Sequence, residues 1–217
     1  IDRIRESGHA DKVACVAVHE AGHALVYALR FGLAPLQLTA RVADSHTGGF
    51  SFGHDLFASA AGLRHEVEVD LAGGVAEEVV FGRDLASAGR GQDLTDATKR
   101  IIDHQRRYGF DPRFPANYLL DEPYDLRAGP SSTDIEALLH DLTHATRALL
   151  VAHRRPLLAL AAALVDKGRL TAEQVRNTLA QYGIRAGVER EGFQWCPPYA
   201  DRLAAALRST EEVEQAR

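Results

Sequence analysis

The residues with the clearest chemical potential are Val18-His19-Glu20-Ala21-Gly22-His23-Ala24, an H-E-x-x-H run. On a helix, four residues advance by about 400° of rotation and about 6 Å of rise. Imidazoles at His19 and His23 therefore project from one face and can share a tetrahedral zinc ion. Glu20 stands one position on, close enough to act on a water at the metal without being a ligand. Zinc brings the pKa of such a water to about 7, and a carboxylate can then take its proton as it attacks a carbonyl. The pattern points to metal-assisted hydrolysis, with Glu20 as its base.

H-E-x-x-H also arises by accident on solvated helices. Here it lies in an Ala/Val/Leu-rich stretch, where two histidines and a glutamate would be costly to bury without partners. A catalytic zinc usually takes a third protein ligand, and spacing alone leaves Glu77, Glu78 and Asp93 open, with Asp70 and Asp96 behind them. Asp93 also stands where a helix N-cap belongs, a place that favours Asp. Cys15 shares the face of His19 but reads as core, as a lone Cys in an apolar helix usually does. His140 and His144 repeat the four-residue spacing with no Glu after His140, and read as a solvated pair. No G-x-x-x-x-G-K-[ST] occurs and the only lysines are Lys12, Lys99 and Lys167, so the chain carries no ATPase site.

The elements that must position these groups follow from periodicity. Val13, Val16, Ala17, Ala21, Ala24, Leu25 and Ala28 mark a helix over 12–30, ended by Gly32 and Pro35. Residues 36–43 alternate as a strand, and Gly48-Gly49-Phe50-Ser51-Phe52 reads as a second. Leu63, Val67, Leu71, Val75 and Val79 predict a long helix over 60–81, in which Gly73 and Gly74 hint that something packs closely. After a loop over 82–92, a helix is expected from Asp93 to about Tyr108. Pro112, Pro115, Pro123 and Pro130 break regular structure over 109–131 and place the best internal boundary there. Beyond it the chain reads as helices, one carrying Ile135, Leu138, Leu139, Leu142 and Leu149, and a last one opened by a Thr171/Gln174 capping box and running to Tyr182. The fold class is mainly α with a small β-sheet. It comprises a zincin-like metallopeptidase core at 1–115, a C-terminal helical bundle of the same domain at 116–182, and an extension of unassigned role at 183–217.

The composition is that of an ordinary globular chain, 46% hydrophobic and 25% charged, with a formal net charge of −5. With no basic arm, nucleic-acid binding has no electrostatic footprint. Two distant cysteines, Cys15 and Cys196, make no disulfide framework and suit a reducing, cytoplasmic setting. No apolar stretch approaches the roughly 20 residues of a membrane-spanning helix. The chain opens at Ile1 and contains no Met, so it reads as a piece of a longer protein whose upstream part could tether it to a membrane.

Several motifs in order resemble the peptidase domain of the FtsH family of ATP-dependent zinc proteases, peptidase family M41. VAVHEAGHALV is similar to the family's metal-binding helix, and Gly48-Gly49-Phe50-Ser51-Phe52 stands in the place of its active-site edge strand. The run from Leu71 to Gly82 resembles LxGRxAEExxFG, the run from Asp93 to Thr98 resembles DLxxAT, and Arg107-Tyr108-Gly109-Phe110 resembles its YGM ending. The likeness covers residues 10–182. It implies that Asp93 is the third zinc ligand and that Glu77 or Glu78 orients a ligand histidine. It also implies that Gly48, Gly49 and Phe50 pair with an extended substrate backbone. The implied activity is endopeptidase cleavage of unfolded polypeptides, fed by an AAA+ ATPase ring in a homo-hexamer. The rival expectation is a non-catalytic, zinc-stabilised module that only partners such an ATPase. The sequence departs from the family at Val42-Ala43-Asp44-Ser45-His46, where a proline-arginine turn is usual, and at Gln92, where Asn is usual.

Overall fold

The computed structural model describes residues 2–40, 49–113 and 132–215. Helix α1 (Asp2–Phe31) carries the H-E-x-x-H run and starts ten residues before the predicted Lys12, with no proline in that stretch to interrupt it. It ends as expected at Gly32, whose φ of +67 only glycine adopts readily and whose N–H caps the carbonyl of Ala28. Strands β1 (Gln37–Thr39), β2 (Gly49–Ser51) and β3 (Asp55–Leu56) follow, then helix α2 (Ala60–Phe81), opened by the Ser59 side chain accepting from the Gly62 N–H. Gly48 and the expected boundary at 115/116 lie outside the described residues.

Helix α3 (Gly91–Ile102) runs into a π-helical turn at Asp103–Arg107. Helices α4 (Ser132–Ala152) and α5 (Arg154–Lys167) come next, with Pro156 in the first turn of α5, where its missing N–H costs nothing. Gly168 at φ +69 closes α5, and strand β4 (Arg169–Thr171) leads into α6 (Ala172–Ala180) through the Thr171/Gln174 capping box. The extension adds β5 (Gln194–Trp195) and α7 (Tyr199–Gln215).

The chain is thus mainly helical with little strand. Its three-stranded sheet has the order β2-β1-β4, antiparallel throughout, with Leu38 opposite both Phe50 and Leu170. The helical part is therefore not purely helical: β4 was hidden from sequence because three residues, Arg169-Leu170-Thr171, carry too little alternation to show. Leu38 and Leu170 are fully buried and bind the sheet to the helices beneath. A two-stranded parallel pair, β3 with β5, stands beside it.

One core cluster lies where α1, α2, α5, α6 and the sheet meet, and holds Ala17, Ala21, Ala24, Leu25, Leu157 and Leu164. A smaller one joins Val67 and Leu71 of α2 to Ala97 and Ile101 of α3 and Leu142 of α4. Helix α2 is thus central and touched on several sides. Its crossing with α1 is close because the residues there are small. A Cβ on Gly22 would lie 2.6 Å from the Ala72 carbonyl oxygen and 2.6 Å from Ala76 Cβ.

No single described helix is long and apolar enough to cross a membrane; α4 with α5 passes that test as a pair bent by 80°. Leu150, Leu157, Leu160 and Leu164 of that pair are fully buried core residues.

Replacing Gly22 with Ala should force α1 and α2 apart. The expected cost is about 1–3 kcal/mol of unfolding free energy, as for other overpacked cores, read by urea denaturation. An unchanged midpoint would mean that the crossing is slack.

Candidate metal centre

Helix α1 delivers His19, Glu20 and His23 to the crossing with α2, and the first turn of α3 delivers Asp93. The Nε2 atoms of His19 and His23 lie 3.0 Å apart. Asp93 Oδ2 lies 3.1 Å from the first and 3.7 Å from the second. These are the only three His, Cys, Asp or Glu side chains among the described residues grouped closely enough to hold a metal ion, with donors within 4.8 Å of one another. Ligand atoms about 2 Å from a tetrahedral zinc would stand about 3.3 Å apart, within the spread of the three distances found.

The outer edges of both imidazoles are fixed. His23 Nδ1 donates to the Val69 carbonyl oxygen at 2.7 Å, and His19 Nδ1 meets Glu77 Oε1 at 2.6 Å. Both partners accept only, so each ring carries its proton on Nδ1 and turns a lone pair on Nε2 inward. Two nitrogen lone pairs and a carboxylate oxygen then face one another, and only a cation or a proton relieves their repulsion. Gly73 makes the room: a Cβ there would lie 2.5 Å from both Nε2 atoms. The packing that Gly73 hinted at is the pair of histidines itself. The donor set and the cradle both fit zinc.

The electrostatics agree. Burial works against charge on His19, but the carboxylates of Asp93 and Glu77 outweigh it and hold its pKa at about 10. Burial also opposes charge on Asp93, yet the two imidazoles keep its carboxyl well below the usual range. Glu77 is fully buried and is held ionised by His19 together with the N–H and hydroxyl of Ser87, at 2.5 and 3.0 Å. Glu20 behaves differently. Burial pushes its pKa up, the histidines draw it only partly back, and its buried Oε2 has no hydrogen-bond partner among the described residues.

Glu77 therefore touches a candidate ligand, while Glu78 does not. Glu78 is clamped between Arg90, at 2.5 Å, and Arg147. Asp93 lies inside α3, which starts at Gly91 with no side-chain cap, so the N-cap account of this residue does not apply. Asp70 is paired with Arg100 at 2.7 Å, and Asp96 is bonded to Gln92 on the exposed side of α3. Gly49 and Phe50 lie in β2, which has a neighbour on one side only among the described residues. Cys15 sits half-buried beside Glu77 and Ser87, and burial and the Glu77 charge raise its pKa, which keeps it a thiol. His140 and His144 are exposed. Sequence reasoning missed Ser87 and the Val69 carbonyl, since a backbone acceptor and a loop serine leave no signature in residue type.

Against known proteins, the sequence model of peptidase family M41 matches residues 7–122. The chain belongs to that family. Three of its relatives are named ATP-dependent zinc metalloproteases. The FtsH of Lachnoclostridium phytofermentans is 28% identical over 172 residues, covering 73% of this chain and 28% of that protein. The YME1 homolog of Schistosoma mansoni is 31% identical over 173 residues, 76% of this chain and 26% of its own. The FtsH 2 of Symbiobacterium thermophilum is 31% identical over 179 residues, 76% of this chain and 30% of its own. The chain spans less than a third of the length of these relatives.

Two predictions follow from the geometry. Glu77→Gln should weaken zinc binding about 10–100-fold, the usual effect of losing a ligand's orienting partner, in a chelator-competition titration. The second concerns pH. The folded pKa of His19, about 10, lies above its ordinary 6.5, so its contribution to metal-free stability is full below 6.5 and lost as pH rises through 10. Melts in chelator should therefore fall across that window, while zinc affinity climbs as the competing proton leaves. A flat pair of profiles would remove His19 from the site.

Proposed function

We propose that this M41 domain is a zinc endopeptidase of the H-E-x-x-H type that cleaves unfolded polypeptides as the protease part of an FtsH-like ATP-dependent enzyme. The observation that carries it is the convergence of His19 Nε2, His23 Nε2 and Asp93 Oδ2 over Gly73, with the buried, unpartnered Glu20 carboxylate on the same helix.

His19, His23 and Asp93 would hold zinc, which would supply Lewis-acid activation of the attacking water. Glu20 Oε2 then takes the proton of the attacking water and passes it to the leaving amine. Burial suits it to the task, since a pKa raised by desolvation makes the carboxylate a stronger base. Glu77 fixes the tautomer of His19, and the Val69 carbonyl fixes that of His23. The side of β2 that has no neighbour among the described residues offers backbone groups to an extended chain, a mode of binding with little side-chain preference. Gly48, Gly49 and Phe50 are the residues assigned to it, Gly48 from the sequence alone.

A non-catalytic zinc module explains the ligands but gives no use to a buried carboxylate whose Oε2 has no hydrogen-bond partner among the described residues. The relatives' names connect proteolysis to ATP, and we assign to this chain the same dependence on an AAA+ ring, with a homo-hexameric assembly in the cytoplasm or on its membrane face.

Glu20→Gln should retain one zinc per chain and lose peptide cleavage by about 10³-fold or more, as expected for a group needed for proton transfer. Asp93→Ala should lose zinc. Cleavage of a quenched-fluorescent peptide, paired with metal analysis, reads both. Full turnover by the Glu20 variant would end the assignment.

A further inference from the structure

The extension beyond Tyr182 lies outside the stretch matched by the family model, yet it is built into the core beside the site. It first ties to the end of the metal helix: Gly187 N–H donates to the Gly32 carbonyl at 2.7 Å, and Ala34 N–H to the Gly187 carbonyl at 2.8 Å. It then runs alongside the segment that leaves β2. Gly192 N–H donates to the Gly53 carbonyl at 2.8 Å, Asp55 N–H to the Phe193 carbonyl at 2.9 Å, and Phe57 N–H to the Trp195 carbonyl at 3.0 Å. Those bonds make the parallel β3–β5 pair.

Side chains continue the connection inward. Trp195 packs edge-on to Phe31 with centroids 4.9 Å apart, and Phe193 edge-on to His54 at 6.3 Å. His54 is 5% exposed, and its Nδ1 bonds the Tyr27 hydroxyl at 2.6 Å. Tyr27 also stacks on Phe52 at 5.3 Å. It lies one helical turn beyond His23 on α1. Gly53, at φ +49, is pressed between Leu36 and Glu191, so that a Cβ there would lie 2.7 Å from the first and 3.3 Å from the second. The two residues after β2 are thus held from one side by the metal helix, through Tyr27, and from the other by the extension.

We propose that the strap Gly187–Tyr199 is a positioning element for substrate: it fixes β2 at one distance from the metal helix and so sets where a paired peptide backbone crosses the site. The proposal rests on the reading of β2 as the peptide-binding edge. A strand of three residues anchored only through β1 would pivot. Bonding at Gly53, Asp55 and Phe57 removes that freedom without occupying the edge of β2 that has no neighbour among the described residues. Trp195, the only tryptophan of the chain, is the side chain that seats the strap on α1.

The test uses the full chain with Trp195→Ala, with Trp195→Phe as the conservative variant and Phe193→Ala as a second lesion in the strap; thermal melts confirm folding. In the Glu20→Gln background, fluorescence anisotropy should show an extended, uncleaved peptide binding about tenfold more weakly to the Trp195→Ala protein, at unchanged zinc content, with Trp195→Phe restoring most of it. With Glu20 present, KM should rise by a similar factor while kcat changes little, the signature of lost ground-state positioning. Hydrogen exchange should quicken at Asp55, Phe57 and across β2 but not along α1. Unchanged peptide affinity with a loosened strap would overturn the proposal, as would parallel loss of zinc and kcat. If no peptide binds even with the intact strap, the peptidase reading fails; the exchange experiment still decides whether the strap holds β2, and full protection of β2 in both lesions would overturn that.

Discussion

The site depends on how closely α1 can lie against α2. A helix carrying two histidines and a glutamate on its inner face would ordinarily be held off its neighbour by their bulk. Gly22 lets the α1 backbone meet Ala72 and Ala76, and Gly73 leaves a cradle into which both Nε2 atoms settle. Each glycine costs about 0.5–1 kcal/mol of helix stability relative to alanine, and the crossing returns a pocket in which polar groups are screened from water by packed helices. Everything else about the centre follows from that contact. The Val69 carbonyl and Glu77 carboxylate reach the outer nitrogens only because α2 runs this close. With those nitrogens committed as donors, the inner ones have no choice but to accept.

Three acceptors at one point is an unstable arrangement by itself. Positive charge answers it: a proton that the Asp93 and Glu77 carboxylates hold on His19, whose place zinc would take. Zinc binding would therefore be tied to the pH behaviour of the fold, while the two imidazoles in turn outweigh burial and hold Asp93 ionised. Glu20 escapes this pattern because no ring nitrogen or backbone donor bonds it among the described residues, so burial raises its pKa where Asp93 and Glu77 are lowered. Three carboxylates within one site are separated by their partners into two held firmly ionised and one that burial makes more basic.

Much of this was legible in the sequence, and the limits are physical. His19, Glu20 and His23 are adjacent on one helix, so local spacing suffices to group them. Asp93 is some seventy residues away and no spacing rule connects it; only the order of motifs in a known family singled it out from Glu77 and Glu78. The long helix α2 was readable end to end because its apolar residues recur every fourth position. Strands β3, β4 and β5 were invisible, since two or three residues carry no period and their pairing depends on segments far apart in the chain. The extension was unreadable for a related reason. Its hold on the core comes through backbone bonds at Gly187, Gly192 and Phe193, which leave no trace in residue type.

The two halves of the ligand set also differ in how firmly the fold holds them. The histidines both stand on α1, among the fully buried Ala17, Ala21, Ala24 and Leu25 of the same helix. Asp93 stands in the first turn of a twelve-residue helix whose buried residues are Ala97, Ile101 and Ile102 alone, and whose capping position offers no side-chain bond. Its docking on α2 is reinforced by ion pairs on either side of the ligand: Arg90 with Glu78 before it, and Arg100 with Glu66 and Asp70 after it. A Cβ on Gly74 would lie 3.1 Å from the Arg90 side chain, so the clamp nearest Asp93 is also seated on α2. Partly exposed pairs of this kind contribute modestly and weaken with salt. A metal joining Asp93 to both histidines would therefore do part of the work of docking α3, and the energy of binding it would be shared between coordination and the assembly of that face of the protein.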